Sequence, residues 1–251
     1  MYKEMIHYIC VATENKLYLK YLKELIPSLI ILGMDMKWNG FNMKYDVIIN
    51  YLKTLNENDI VCIIDAYDIL PTKKLNRLEK RFLKFSKKHK NIKMIIGCDN
   101  QENMLFEIAG LLLFDSVDKK RINAGQYIGF VKNILDILNK IFNIENIFFD
   151  DQIELTKYAK NNKKHIYIDN KKKFFNVITK PLYQCENDSN ACFIHANLNG
   201  MLENFLLKEH NILVPKSLEI KNYIENITSY LKKIKLYFGY YKQLFKIPVI
   251  K

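Results

Sequence analysis

The chain has 251 residues, 49% of them hydrophobic and 13% aromatic, enough to fill the core of one large α/β domain or two small ones, which excludes a disordered or fibrous protein. Its formal charge is +12, but the excess is lysine spread along the whole length, with denser clusters at Lys171 to Lys173 and Lys232 to Lys235. Arginine is sparse, so the pattern is that of a solvated surface rather than the arginine- and aromatic-laced stripe of a nucleic-acid module, and no nucleic-acid partner is expected.

Five cysteines, Cys10, Cys62, Cys98, Cys185 and Cys192, contain no CxxC pair, so neither a disulfide framework nor a zinc site is indicated. Residues Met1 to Cys10 are too short and polar for a signal peptide, and no apolar run reaches membrane-spanning length. The expectation is an intracellular, soluble protein without a transmembrane segment.

In chain order, Ile6 to Ala12 reads as a strand that opens into the polar turn Thr13-Glu14-Asn15 before a helical pattern from Leu17 to Leu25. Such a turn offers backbone N–H groups to a nucleotide, or merely caps the helix. Leu29 to Leu32 is a second strand. The irregular segment Gly33 to Asn42 carries the only tryptophan, Trp38, which either stacks on a base or plugs a core gap, the plug being the nearer reading. Met43 to Leu55 follows as a helix. Lys44 in its first turn runs against the helix dipole and so should face an anion.

The stretch around which the rest is arranged is Val61-Cys62-Ile63-Ile64-Asp65-Ala66-Tyr67-Asp68. An apolar, largely β-branched run ending in carboxylates is the signature of a buried parallel strand leaving its sheet at the carboxyl end, where α/β proteins bind ligands. Asp65 and Asp68 repel each other there unless a cation lies between them, and a hard divalent ion holding a diphosphate suits two carboxylates. Alternatively, Asp65 only ends the strand, and Asp68 caps a helix starting near Pro71-Thr72.

Lys73 to Lys88 is a charged amphipathic helix and Ile92 to Gly97 a further buried strand, giving the βαβ alternation of a mainly parallel sheet. From Asp99 to Lys120 the pattern loosens into a lid or acceptor loop. Ile122 to Phe130 is strand-like, with glycines at 125 and 129 that mark a close approach of the backbone to a ligand, or a bulge. Lys132 to Phe142 is helical. Phe148-Phe149-Asp150-Asp151-Gln152 then places two carboxylates before the helical run Ile153 to Tyr158, one more than a cap requires. Ile166 to Asp169, Phe174 to Val177 and Cys192 to His195 are short strands. His195 ends the last of them, as a metal or phosphate ligand would, or as a structural histidine. From Pro215 the chain turns to basic, aromatic helical patterns that pack back on the domain, form an interface such as a homodimer, or lie on a membrane surface. With no repeat and no Pro-, Gly- or Ser-rich linker, the organisation is one domain, 1–214, and a basic helical extension, 215–251.

Taken together, Val11-Ala12-Thr13, Asp65-Ala66-Tyr67-Asp68, Asn123-Ala124-Gly125 leading to Ile128-Gly129-Phe130, Asp150-Asp151-Gln152 and His195-Ala196-Asn197 stand in a telling order and spacing. From about Met5 to Asn211 the chain resembles the glycosyltransferase domain of procollagen lysyl hydroxylases and the related collagen glucosyl- and galactosyltransferases. The resemblance implies a GT-A-like α/β fold, with a Rossmann-type, mainly parallel central sheet flanked by helices. It also implies a Mn²⁺-dependent enzyme, with Mg²⁺ the alternative ion. Such an enzyme would move a hexose, glucose favoured, from a UDP-sugar to hydroxylysine or galactosylhydroxylysine of a collagen-like protein. Another glycan acceptor, or a catalytically silent nucleotide-sugar-binding domain, is the competing reading.

Carried over residue by residue, the resemblance makes Asp65, Asp68 and His195 the metal ligands. Thr13, Trp38, Lys44 and Tyr67 would hold the uridine and phosphates, and Asn123 and Gly125 would line the sugar pocket. Asn197 would lie near the diphosphate. Asp150 and Asp151 would face the transferred sugar and the acceptor hydroxyl, with Asp151 favoured as the catalytic carboxylate. The family's Ala-Glu turn and Cys-Trp-Pro cluster on the acceptor side are replaced by Cys98-Asp99-Asn100-Gln101-Glu102-Asn103, so the acceptor side differs.

Overall fold

The computed structural model describes residues 6–99, 115–142, 150–178, 190–196 and 202–215. Within these, β1 (Ile6–Val11), β2 (Ile30–Leu32), β3 (Ile60–Ile64), β5 (Met94–Cys98), β6 (Ile122–Phe130) and β7 (Ile166–Asp169) form one sheet in the order β2-β1-β3-β6-β5-β7. β1 is parallel to β2 and β3, and β5 is parallel to β7, whereas β6 runs antiparallel to both of its neighbours. The mainly parallel α/β sheet expected from the sequence is therefore present. β6, set between β3 and β5, is its one reversed strand.

Alternation along β3 shows why its sequence is apolar throughout. Val61 and Ile63 join a core with Tyr45, Ile48 and Leu52 of α2 (Phe41–Leu52), Ile134 and Leu138 of α4 (Val131–Phe142), and Leu155 and Ala159 of α5 (Asp151–Asn161). Ile60, Cys62 and Ile64 face a second core with Leu19 and Leu22 of α1 (Leu19–Leu25), and Leu78 and Phe82 of α3 (Leu78–Lys88). A strand with both faces covered must be hydrophobic at every position. Cys10, Cys62, Cys98 and Cys192 are buried free thiols, as a small-hydrophobe role predicts.

The second core also receives a small sheet of β4 (Ile69–Pro71), β9 (Phe193–His195) and β8 (Phe175–Val177), in the order β4-β9-β8. This corrects the expected helix start at Pro71-Thr72. Ile69 to Pro71 pair antiparallel with Phe193 to His195, and the Thr72 backbone N–H extends that pairing to the Cys192 carbonyl at 2.9 Å. Helical structure begins only afterwards, with a 3₁₀ turn at Leu75–Arg77 leading into α3. Asp68 therefore precedes a strand and caps no helix.

The small sheet is tied to the large one through Asp169 at the end of β7. Its buried carboxylate accepts backbone N–H bonds from Lys173 (3.1 Å), Phe174 (2.6 Å) and Phe175 (3.0 Å). Burial raises its pKa against the opposing effect of these donors. Asp169→Ala strands the buried Phe174 and Phe175 donors and releases the partly buried Lys173 one, and a loss of about 3 kcal/mol in chemical denaturation is expected.

α2 starts two residues earlier than the pattern suggested, at Phe41 behind Gly40, whose φ is 85°. Trp38, ahead of it, is 48% exposed and does not plug the core. It leans edge-on against Phe41 with ring centroids 6.0 Å apart. The extension from 216 onward and Asn197 lie outside the described residues.

Candidate active site

Three strand ends converge at the carboxyl edge of the large sheet. Asp65 leaves β3 with its backbone N–H bonded to the Gly125 carbonyl at 2.7 Å, so β6 fixes where the carboxylate emerges. Asp68 lies just before β4, and His195 ends β9. The pairing of Ile69 with His195, together with the 2.9 Å bond from the Ala196 N–H to the Asp68 carbonyl, sets the two side by side. One ligand-type atom from each of Asp65, Asp68 and His195 lies within 4.8 Å of the others. These are the three groups that the resemblance designated as metal ligands.

The imidazole is held in a definite state. Asn123 Oδ1 accepts from the Gly125 N–H at 3.1 Å and lies 3.0 Å from His195 Nδ1, so the atom facing Nδ1 is an oxygen and Nδ1 carries the proton. In its neutral form His195 then presents its lone pair at Nε2. That atom is buried and 3.1 Å from Asp68 Oδ2, off the line a hydrogen bond requires, and it has no hydrogen-bonding partner. Burial lowers the His195 pKa, but Asp68, and after it Asp65 and Asp99, outweigh burial and raise it. The position thus favours positive charge. Two carboxylates and an oriented imidazole with an orphaned lone pair fit a divalent cation, and Asn123 supplies the outer support that metal-binding histidines commonly have.

On the other flank, Lys44 Nζ lies 2.9 Å from Asp65 Oδ1 and 3.0 Å from Asp151 Oδ2. Burial lowers its pKa, yet Asp151 and Asp65 together hold it above the ordinary lysine range, so it stays charged. Tyr45 donates to the same Asp151 Oδ2 at 3.0 Å. The anion that Lys44 faces is thus a pair of the protein's own carboxylates. Asp150 has the extended backbone of an N-cap (φ −152°, ψ 130°), and its side chain accepts the Gln152 N–H at 2.8 Å. The two adjacent acids therefore have separate tasks: Asp150 caps α5, and Asp151 points back to Lys44.

Tyr67, between the two metal-type aspartates, places its hydroxyl 3.1 Å from the Thr13 backbone N–H and donates to the Glu14 carbonyl at 3.1 Å. It pins the turn after β1 to the aspartate segment. Trp38 connects to this region through Phe41, whose ring centroid is 5.9 Å from Lys44 Nζ. Tyr45 was not singled out in the sequence. It stands in an apolar helix face stacked on Phe142, centroids 3.6 Å apart, and only its hydroxyl reaches the site.

Carboxylates and a histidine gathered at the carboxyl edge of a mainly parallel sheet, with one antiparallel strand inserted, define an α/β protein with its candidate site where such sheets bind ligands. The family model described as the PLOD GT domain matches residues 2–238, and the chain belongs to that family. It is a glycosyltransferase domain. Among solved structures, the galactosyltransferase LgtC in complex with donor and acceptor sugar analogs is similar at 13% identity and a TM-score of 0.44, covering 86% of this chain and 100% of that one. The 4-diphosphocytidyl-2C-methyl-D-erythritol synthase from Anaerococcus prevotii DSM 20548 is similar at 10% identity and a TM-score of 0.37, covering 66% of this chain and 86% of that one. A197 from STIV gives 10% identity and 0.39, covering 65% and 81%. No curated protein matches the chain. Among the described residues, no helix is long and apolar enough to cross a membrane.

Proposed function

We propose that this domain transfers a hexose from a UDP-sugar in a Mn²⁺-dependent reaction, with Asp65, Asp68 and His195 as the metal ligands. The observation that carries the reading is the meeting of these three groups within 4.8 Å around the buried, unpartnered Nε2. Glucose is the favoured sugar, and hydroxylysine or galactosylhydroxylysine of a collagen-like protein the acceptor, both supported by the family match.

When bound, the ion neutralises charge that develops on the departing diphosphate. The protein's own residues supply the rest. Tyr67 holds the Thr13-Glu14 turn so that its backbone lies against the nucleotide, and Trp38, exposed at the rim, stacks on the uracil. Asn123 and Gly125 line the sugar side. Asp151, held in place by Lys44 and Tyr45, complements the positive character left on the sugar carbon, and Asp150 lies beside it toward the acceptor. By the family resemblance, Asn197 would join the diphosphate contacts.

Screening UDP-sugars for Mn²⁺-dependent UDP release, with and without a hydroxylysine peptide, tests this directly. UDP-glucose with Mn²⁺ should give measurable release that EDTA stops, and failure of every UDP-sugar to bind or turn over would end the proposal. Tyr67→Phe removes the hydroxyl that positions the Thr13 turn. Its donor KM should rise about tenfold with little change in kcat, as expected where one ground-state contact is lost.

A further inference from the structure

Lys44 lies between two groups that the proposed chemistry uses for different purposes. Its Nζ is 2.9 Å from Asp65 Oδ1, on the metal side, and 3.0 Å from Asp151 Oδ2, on the sugar side. The Lys44 side chain is 10% exposed and the Asp151 side chain 8% exposed, so water screens little of that contact, whereas Asp65, at 35%, is the more screened partner. An ammonium beside Asp65 opposes any other cation that binds the same carboxylate. The same ammonium is also the charged partner of the buried Asp151 carboxylate.

We propose that Lys44 is a positioning residue that couples the metal site to Asp151, competing with the cation for Asp65 while fixing the Asp151 carboxylate for the sugar. The inference rests on the metal-site reading above and assigns Lys44 a part other than direct diphosphate contact. Lys44 and Tyr45 converge on one Asp151 oxygen from consecutive positions of α2, which sets the carboxylate's rotation. The arrangement makes metal affinity and turnover move in opposite directions when Lys44 is lost. Without the ammonium, Asp65 offers its full charge to the cation, but Asp151 loses the partner that aims it.

The test is Mn²⁺ binding without turnover, read from the electron paramagnetic resonance signal of free Mn²⁺, for the native protein, Lys44→Met, Lys44→Arg, Asp151→Asn and the double variant. Lys44→Met should bind Mn²⁺ about tenfold more tightly while kcat for UDP release falls about a hundredfold. Lys44→Arg should return both values toward native. Asp151→Asn leaves Lys44 with Asp65 alone and should weaken Mn²⁺ binding. Adding Lys44→Met to it should restore binding to the level of Lys44→Met, because the influence of Asp151 on the metal runs through Lys44.

The double variant also removes both buried charges together, so the comparison survives if Lys44→Met alone fails to fold. Should the double variant bind no tighter than Asp151→Asn, or a folded Lys44→Met bind no tighter than the native protein, the coupling is refuted. In either case the metal site itself stands. Absence of Mn²⁺ binding by the native protein overturns both the coupling and the reading on which it rests.

Discussion

Asp65→Ala is expected to reduce Mn²⁺-dependent UDP release by at least about a thousandfold, the scale on which lost electrostatic stabilisation of a leaving group acts. Asp65 is the member of the cluster that meets both the β6 backbone and Lys44. Its backbone N–H is held by the Gly125 carbonyl, its Oδ1 meets Lys44, and its Oδ2 lies where Gly125 and His195 crowd together. The same substitution should cost little stability, because the side chain stands at the strand end and is 35% exposed. Thermal melting within a few degrees of native, alongside lost turnover and lost Mn²⁺ binding, is the expected result. A variant that keeps more than a tenth of native turnover would remove Asp65 from the metal set.

The parts of this site that the sequence revealed are those written in short segments. The β3 run ending in Asp65 is legible because both faces of a central strand are buried and the first polar residue marks its exit. The cap at Asp150 is legible for a similar reason, since an acid ahead of a helical run satisfies the next N–H groups locally. What failed was decided by distant partners. Pro71-Thr72 has the local look of a helix start, yet the antiparallel pairing of Ile69 with His195 draws the segment into the small sheet. Lys44 was expected to face an anion, and it does, but nothing near it in sequence shows that the anions belong to Asp65 and Asp151. Tyr45 was invisible because its ring belongs to the core and only its hydroxyl to the site. Trp38 had two open readings, and its exposure removes the one in which it fills a gap in the core.

Local pairing also explains how groups remote along the chain reach one point. β6 runs against its neighbours, so its early residues, Asn123 and Gly125, arrive at the carboxyl edge where parallel strands end. Its register against β5 slips between Ile96 and Gly97, so that Tyr127 pairs with Ile96 and Asn123 with Gly97, leaving residues 124 to 126 bulged away from β5 while Gln126 still pairs with Ile64 of β3. Bulges of this kind re-aim the backbone next to active sites. Here the bulge delivers the Gly125 carbonyl to Asp65 and the Asn123 amide to His195.

That geometry makes Gly125→Ala the second large effect expected. A methyl group on Gly125 would lie 2.5 Å from Asp65 Oδ2 and 2.7 Å from His195 Cε1, both closer than carbon and its neighbours approach in folded proteins. The backbone cannot retreat, because the Gly125 carbonyl is bonded to the Asp65 N–H at 2.7 Å and its own N–H is held by Asn123. The ligands must therefore move instead. Mn²⁺ affinity should fall by at least about tenfold and UDP release by about a hundredfold, the penalty expected when a metal's ligands or their supports are displaced. Gly125 is not among the glycines with positive φ, so alanine meets no conformational barrier here. Its restriction of the unfolded chain offsets part of any strain, by about 0.4–1 kcal/mol. Lost metal binding in a protein that melts close to the native temperature is thus the specific outcome. If Gly125→Ala binds Mn²⁺ as the native protein does, the close approach of Asp65 and His195 is not what holds the ion, and the three-residue cluster loses its standing as the metal centre.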